Sequence, residues 1–233
     1  MQRAEIVLLE VRLEGEGLTG GRIECPPGLL PAPGQYLLAH VAGGAEPLPS
    51  ALFAARWLPG AASTGELELA PPLPAGWTAG TRLAVRGPLG RGFNLPATAR
   101  QVALVAAGGT PHPLLPLVDV ALAQGAAVAL YTRSVPAGLP SEVEVLPPDA
   151  LFDVPGWADY LAVHLQPGHL SGLRRRFGLA PHDVMPVPAQ VLVQIPMPCG
   201  GIGECGVCAV ATRRGWKLAC KDGPVFDFND LKE

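Results

Sequence analysis

Four of the five cysteines lie within 22 residues near the carboxyl end of the chain, spaced as Cys199-x5-Cys205-x2-Cys208-x11-Cys220. Three closely spaced thiols followed by a more distant fourth is the ligand layout of a loop that wraps an iron–sulfur cluster. The intervening loop is rich in glycine, which permits left-handed turns and a close approach of the backbone to the cluster sulfurs. The spacing therefore predicts a 2Fe–2S cluster held by these four cysteines in a chain that transfers electrons.

Two other uses of clustered cysteines compete with this prediction. Structural zinc also takes four thiolates, but usually as two close Cys-x2–4-Cys pairs, and only Cys205 and Cys208 form such a pair here. Disulfides need an oxidising compartment, and the first apolar stretch is interrupted by Glu5 and Glu10, unlike a signal peptide. A zinc-stabilised binding module without a redox role stays open as an alternative. Cys25 stands alone and is expected to be an ordinary half-buried residue.

Charge and hydropathy limit the partners of the chain. The formal net charge is −3 and no long run of Lys and Arg is present, which argues against a nucleic-acid partner. Glycines and prolines interrupt the most apolar stretch, residues 102–131, so it never reaches the ~20 apolar residues of a membrane helix. We therefore expect a soluble, cytoplasmic protein with no nucleic-acid or membrane partner.

The first 97 residues have the pattern of an antiparallel β-barrel. Short apolar runs alternate with Pro- and Gly-rich turns, which is typical of an all-β unit. The candidate strands are residues 5–13, 36–41, 66–69 and 82–86. No helical period is present, so we predict a β-barrel domain over residues 1–97.

The pattern changes near residue 100 to apolar runs that alternate with helices. The candidate strands are residues 101–106, 126–132, 142–146, 160–165 and 191–195, and the candidate helices are residues 114–124 and 170–177. This alternation predicts an α/β domain with a parallel sheet over residues 98–195. Residues 196–233 complete a three-part fold as a small C-terminal 2Fe–2S cluster-binding domain.

Three sequence segments carry a family resemblance. MPCGGIGECGVCAV, from Met197, and CKDGPVFD, from Cys220, closely resemble the C-terminus of the electron-transfer subunit of dihydroorotate dehydrogenase, in the ferredoxin–NADP reductase superfamily. GPLGRGF, from Gly87, resembles the segment that ends the flavin barrel of that family. PAPGQY, from Pro31, resembles the PGQF-type turn that enters a barrel strand. The order of the three parts is similar along the whole chain.

The resemblance implies a specific electron route. The barrel of the family holds FAD, the α/β domain takes a hydride from NAD(P)H, and the 2Fe–2S cluster passes single electrons to or from another protein. That protein is the FMN-containing catalytic subunit of dihydroorotate dehydrogenase, in pyrimidine biosynthesis, and the implied assembly is a heterotetramer. The implied cofactor-binding residues are Pro49, Ser50, Gly87, Pro88, Leu89 and Gly90 for FAD, and Gly108, Gly109 and Thr110 for NAD(P).

The chain departs from the family pattern at both nucleotide sites. Where the family has Arg-Pro-x-Ser, with the Arg on the flavin phosphates, this chain has no Arg before Pro49 and Ser50. Pro111 and Pro113 follow the Gly108–Gly109 loop and remove backbone N–H groups that could bind phosphate. These differences motivate an alternative function, a cluster-only electron relay that has lost NAD(P) and possibly FAD.

Overall fold

The computed structural model describes residues 2–14, 17–44, 48–58, 65–166, 168–180 and 183–232. Within these ranges the chain forms a closed barrel, a six-stranded sheet with flanking helices, and a two-stranded hairpin beside the cysteine loop. The three parts follow one another in the predicted order, so the predicted fold class is confirmed. The domain limits at 97/98 and 195/196 stay predictions.

Six antiparallel strands close the barrel in the order β1-β2-β5-β4-β3-β6. Closure pairs the backbone of every strand and leaves no sheet edge exposed. Inward-facing side chains such as Leu8, Ile23 and Leu83 form the barrel core. Cys25 is fully buried in this core, deeper than the half-buried position expected from the sequence. The strands are β1 Gln2–Leu13, β2 Thr19–Cys25, β3 Tyr36–Val41, β4 Ser50–Leu58, β5 Gly65–Leu69 and β6 Arg82–Leu89.

Five parallel strands in the order β11-β10-β7-β8-β9 form most of the second sheet. The central strand β10 is buried at every residue, which explains its continuous apolar run. The strands are β7 Gln101–Ala107, β8 Ala127–Tyr131, β9 Val143–Leu146, β10 Tyr160–Leu165 and β11 Ala189–Val193. The helices are α1 Leu115–Ala123, α2 Val154–Trp157 and α3 Leu170–Arg176.

The last strand of the chain joins the α/β sheet. After the cysteine loop come β12 Ala209–Thr212, β13 Gly215–Leu218, α4 Ala219–Asp222 and β14 Val225–Asp227. Strands β12 and β13 form a separate hairpin, whereas β14 pairs antiparallel with β11, with Leu192 opposite Val225. The cysteine loop therefore leaves from and returns to the same edge of the sheet. Among the helices of the described ranges, none has the length and apolar character needed to cross a membrane.

Candidate iron–sulfur site and neighbouring cavities

The four predicted thiols are brought together by the loop and α4. The thiol of Cys220 lies within hydrogen-bonding reach of the Cys208 and Cys199 thiols, and the thiol of Cys199 lies within reach of Cys205. No set of three or more His, Cys, Asp or Glu side chains in the described ranges surrounds a single metal-ion position. The contacts form a chain of neighbouring sulfurs, which is the donor chemistry of an iron–sulfur cluster.

Backbone N–H groups of the loop are directed at Cys199. The N–H groups of Gly203, Glu204 and Cys205 donate to its sulfur, and the bond from Gly203 is the largest of several influences that lower its pKa to about 6. Gly200 and Gly203 have φ of 64° and 84°, a left-handed conformation that turns these groups inward. Such N–H donors stabilise thiolate sulfur, so the loop residues present fit a 2Fe–2S cluster.

The thiols differ in exposure. Cys208 and Cys220 are buried, Cys199 is half-buried and Cys205 is exposed. Burial is the main reason that the pKa of Cys220 is raised to about 12, and the neighbouring Cys208 and Cys199 thiols add to it. The site therefore has a buried side toward the barrel and an open side at Cys205.

A barrel residue holds the buried side in place. The hydroxyl of Tyr36, on β3, donates to the backbone carbonyl of Cys220 at 3.1 Å. Tyr36 is fully buried, and its ring packs against Phe53 with centroids 5.9 Å apart. Because Tyr36 ends the PAPGQY segment, that motif connects the barrel to the cysteine loop.

The three family-like motifs meet at this junction. A Cβ atom at Gly90 would lie 2.6 Å from Pro224 Cδ and 2.8 Å from Tyr36 Cε1. The N–H of Arg91 donates to the Gly223 carbonyl at 2.6 Å. Only glycine fits at Gly90, so the predicted segment 87–90 packs closely against the chain that follows the last cysteine. Its assignment to flavin binding stays a prediction.

A cleft of about 480 Å³ lies where β4 begins, between the barrel and the chain leaving β11. The predicted residues Pro49 and Ser50 line it together with Phe53, Pro72 and Gln194. Its wall is largely apolar, which suits a flat aromatic ring. No Arg, Lys or His of the described residues lines it, and its prolines offer no N–H donors to a pyrophosphate.

Arg56 does not supply the missing cation of the cleft. It is the arginine closest in sequence after Ser50, yet its guanidinium donates to the carbonyl of Gly138 at 2.5 Å. This bond joins β4 to the loop between β8 and β9. The residues around the cleft therefore fit a flavin ring better than they fit the phosphates of FAD.

A second, more polar cavity of about 360 Å³ lies at the carboxyl ends of the parallel strands. The predicted residues Gly108, Gly109 and Thr110 line it. Ligands of open α/β sheets bind at this edge, so the loop lies where a nucleotide is expected. Three cationic or titratable side chains that the sequence did not assign to the cavity also line it: Arg133, His169 and Arg176.

Sequence position could have indicated one of these three residues. Arg133 follows β8 by two residues, and residues just beyond a parallel strand face the ligand edge. His169 and Arg176 reach the cavity through the fold of α3. The neighbouring Arg174 is buried, donates to the Asp183 carbonyl and lies over the Phe228 ring at 5.4 Å. Within the run Arg174–Arg176, Arg174 therefore packs in the protein interior, whereas Arg176 lines the cavity.

His164 supports the Gly108–Thr110 loop that lines this cavity. It is buried at the end of β10, with Nδ1 2.7 Å from the Thr110 carbonyl and Nε2 2.9 Å from Gln194 Oε1. A Cβ atom at Gly109 would lie 2.7 Å from His164 Cε1, so the loop rests directly on the imidazole. Burial is the largest influence on His164 and lowers its pKa, while its two hydrogen bonds act in the opposite direction.

His112, in the loop after β7, contacts the barrel. Its Nε2 lies 3.7 Å from a carboxylate oxygen of Glu14, at the end of β1, and Glu14 also pairs with Arg12. Burial lowers the pKa of His112, and the Glu14 charge partly opposes this shift. The contact is structural and lies at the interface of the barrel and the α/β domain.

The cysteine segment is similar to segments of known iron–sulfur proteins. Residues 196–232 match the family of the iron–sulfur cluster binding domain of dihydroorotate dehydrogenase B. The γ subunit of sulfhydrogenase 1 from Pyrococcus furiosus is 42% identical over 55 residues, which are 24% of this chain and 17% of that subunit. The chain therefore matches only a small part of this relative.

Solved structures resemble the fold over most of the chain. A structure of NADH-dependent reduced ferredoxin–NADP oxidoreductase aligns with a TM-score of 0.76 at 18% identity, covering 98% of this chain and 90% of that one. Phthalate dioxygenase reductase aligns with a TM-score of 0.57 at 14% identity, covering 99% and 96%.

The chain therefore has the ferredoxin–NADP reductase fold, with a four-cysteine iron–sulfur segment at its carboxyl end. Residues 196–232 match the iron–sulfur cluster binding domain family of dihydroorotate dehydrogenase B, so the resemblance predicted for this segment is confirmed.

Proposed function

We propose that the chain is the electron-transfer subunit of a dihydroorotate dehydrogenase, with Cys199, Cys205, Cys208 and Cys220 as the ligands of its 2Fe–2S cluster. The observation that carries this proposal is the convergence of loop N–H groups on the Cys199 sulfur, beside three further thiols. A bound 2Fe–2S cluster supplies one-electron transfer. The chain's own residues hold the thiolates, direct N–H donors at them and fix the loop to the barrel through Tyr36.

The open side of the site is where the partner subunit docks. Cys205 is exposed, and so are three large apolar side chains of the same segment: Ile202, Val207 and Trp216. Exposed apolar residues around a redox centre suit a protein contact that brings two centres close together. We propose the FMN-containing catalytic subunit as this partner, in a heterotetramer.

The two neighbouring cavities are the proposed binding sites of FAD and NAD(P), which would donate electrons to the cluster. A flavin ring fits the apolar cleft at Pro49 and Ser50, and a nicotinamide nucleotide fits the polar cavity at Gly108 and Gly109, where Arg133 offers a cation. FAD and NAD(P), if bound in these cavities, would supply hydride transfer and its conversion to one-electron transfer, and the chain's residues would hold them on either side of Gln194, which lines both cavities.

A second candidate function is an electron relay that uses the cluster without NAD(P) or FAD. The absence of a cation among the described residues of the flavin-type cleft favours it, because pyrophosphate binding depends on cations or N–H donors. This relay would receive electrons from another protein, such as a ferredoxin.

An anaerobic visible and EPR spectrum of the purified protein, followed by dithionite and then NADH, tests these functions. A 2Fe–2S spectrum with flavin bands that NADH bleaches supports the full route. Cluster bands without flavin, unaffected by NADH, support the relay. A colourless protein that contains zinc instead of iron and sulfide refutes both functions.

Two cysteine variants assign the ligands. Cys208→Ser should lose most of the iron and acid-labile sulfide, because a serine hydroxyl is a poor replacement for a buried thiolate ligand. Cys25→Ser is the matched control, since Cys25 is equally buried but lies in the barrel core. Equal iron content in the two variants would contradict the ligand assignment.

Co-expression with a dihydroorotate dehydrogenase catalytic subunit tests the partner. Co-purification as a heterotetramer, with dihydroorotate reducing the cluster, is the expected result. Trp216→Glu should weaken this assembly while leaving the cluster spectrum of the isolated chain unchanged. Failure to assemble, together with assembly on a hydrogenase subunit, would favour the arrangement suggested by the sulfhydrogenase relative.

A further inference from the structure

Arg86 on β6 lies directly against the cysteine loop. Strands β3 and β6 are paired with Leu38 opposite Arg86, so the guanidinium extends from the same barrel wall as Tyr36. A Cβ atom at Gly200 would lie only 2.8 Å from Arg86 Nη2. The guanidinium is therefore in contact with the backbone of the residue that follows Cys199.

The charge of Arg86 acts in the same small region as the thiols. Three thiols and Arg86 all influence the buried Tyr36 hydroxyl: the charges of Cys220, Cys208 and Cys199 raise its pKa, and Arg86 lowers it. Burial is the largest influence and also raises the pKa. The geometry agrees, since Arg86 and Cys199 line the same cavity.

No carboxylate of the described residues neutralises Arg86. Three other barrel arginines are paired with carboxylates: Arg12 with Glu14 and Glu68, Arg22 with Glu10 and Glu66, and Arg82 with Glu5. Arg86 has no salt bridge within the described ranges, and it lines an open cavity of about 750 Å³ together with Cys199 and Gly200. The barrel thus presents unpaired positive charge to the cysteine loop: Arg3, opposite Arg86 on β1, lines the same cavity and also has no salt bridge within the described ranges, but only Arg86 has its guanidinium beside Gly200.

We propose that Arg86 is a positioning residue whose charge raises the reduction potential of the cluster, an inference that rests on the proposed cluster ligation. Reduction adds one electron to a site that four thiolates already make anionic, and no proton moves because the guanidinium stays protonated. A nearby cation stabilises the reduced form more than the oxidised form, and charge and hydrogen bonding are the main protein influences on such potentials.

The expected effect is measurable. Removing one unit charge at the edge of a half-buried site changes the reduction equilibrium by about tenfold, which corresponds to about 59 mV for a one-electron couple. The direction is fixed by the sign of the charge: a neutral side chain at this position lowers the potential.

The test is an EPR-monitored redox titration of the whole purified protein with dithionite as the reductant. Arg86→Gln and Arg86→Met should each lower the equilibrium constant for reduction about tenfold, which appears as a lower midpoint potential. Arg86→Lys should stay close to the parent value because the charge is kept. Arg22→Gln is the control in the same barrel and should leave the midpoint unchanged, since Arg22 pairs with Glu10 and Glu66 and none of these three residues lines the cavity of Cys199.

The outcomes separate this inference from the proposed function. A parent protein without a 2Fe–2S signal refutes the proposed ligation itself. A parent with the signal and an unchanged midpoint in Arg86→Gln or Arg86→Met, whichever retains the cluster, overturns the role of Arg86 alone. An equal shift in Arg86→Lys would also overturn it, because packing and not charge would then be responsible.

Discussion

Replacement of His164 by Asn should remove part of the acid sensitivity of the fold. His164 is buried and its folded-state pKa is lowered, mainly by burial. The unfolded chain exposes this histidine, which then takes up a proton near its ordinary pKa of about 6.5. The unfolded state therefore binds more protons below that pH, and stability falls as the pH is lowered.

The size of the effect follows from proton linkage. From pH 6.5 to 5.5, a histidine with a lowered folded-state pKa costs at most about 1 kcal/mol of stability, the limit reached when it stays neutral in the folded state. In a protein of this length, that amounts to about 2–4 °C in Tm. The contribution becomes constant about one pH unit above the unfolded-state pKa of about 6.5. His112 also has a lowered pKa, so it adds to the slope and some acid sensitivity remains in the variant.

Thermal unfolding of the parent and His164→Asn between pH 7.5 and 5.5 measures this effect. The variant should start lower, because the Thr110 carbonyl and Gln194 lose a partner at a cost of about 1–3 kcal/mol. Its Tm should then fall less steeply with pH than that of the parent. His40→Asn is the control, since His40 is exposed. Parallel curves for parent and His164→Asn would refute the reasoning.

Two further substitutions probe the loop and the α/β domain. Gly200→Ala and Gly206→Ala both place alanine in a left-handed conformation, but only Gly200→Ala also brings a methyl group against Arg86. Gly200→Ala should therefore lower the iron content more than Gly206→Ala, where nothing lies within 4 Å of the added methyl group. Equal iron content in the two variants would contradict the close contact. Arg174→Met loses the bond to the Asp183 carbonyl and the contact with the Phe228 ring, so it should lower the free energy of unfolding by about 2 kcal/mol in urea titration. The exposed Arg175→Met should be close to neutral, and a similar loss in both would argue against the packing role.

Local patterns predicted some strands residue by residue and missed others for identifiable reasons. Strands β3 and β10 have the predicted limits. Strand β2 contains Gly20 and Gly21, which resemble a turn in sequence. In the structure these glycines lie within a strand, and Gly21 leaves room for the Leu73 side chain: a Cβ atom there would lie 2.6 Å from Leu73 Cδ1. This contact forms only in the closed barrel, so the sequence around Gly21 does not indicate it. Strand β4 was missed because its buried residues run together in the middle of the strand and do not alternate.

The sequence predicts the parts of the candidate site that lie in one segment of the chain, but not the residues that only the folded barrel brings to it. The four thiols and the glycine turns lie in one segment, so spacing alone indicated them. Tyr36 and Arg86 lie more than a hundred residues earlier in the chain and reach the loop only because the barrel places β3 and β6 beside it. No local pattern records such a placement.

The pairing of β14 with β11 has a consequence for the order of maturation. Both ends of the cysteine loop are anchored to one sheet edge, with Leu192 opposite Val225, so the sheet and not the metal closes the loop. The chain entropy of bringing the thiols together is then lost when the sheet forms, which raises their effective concentration for incoming iron and sulfide. We therefore expect the α/β sheet to fold in the cluster-free chain, and the cluster to be assembled on the folded protein afterwards.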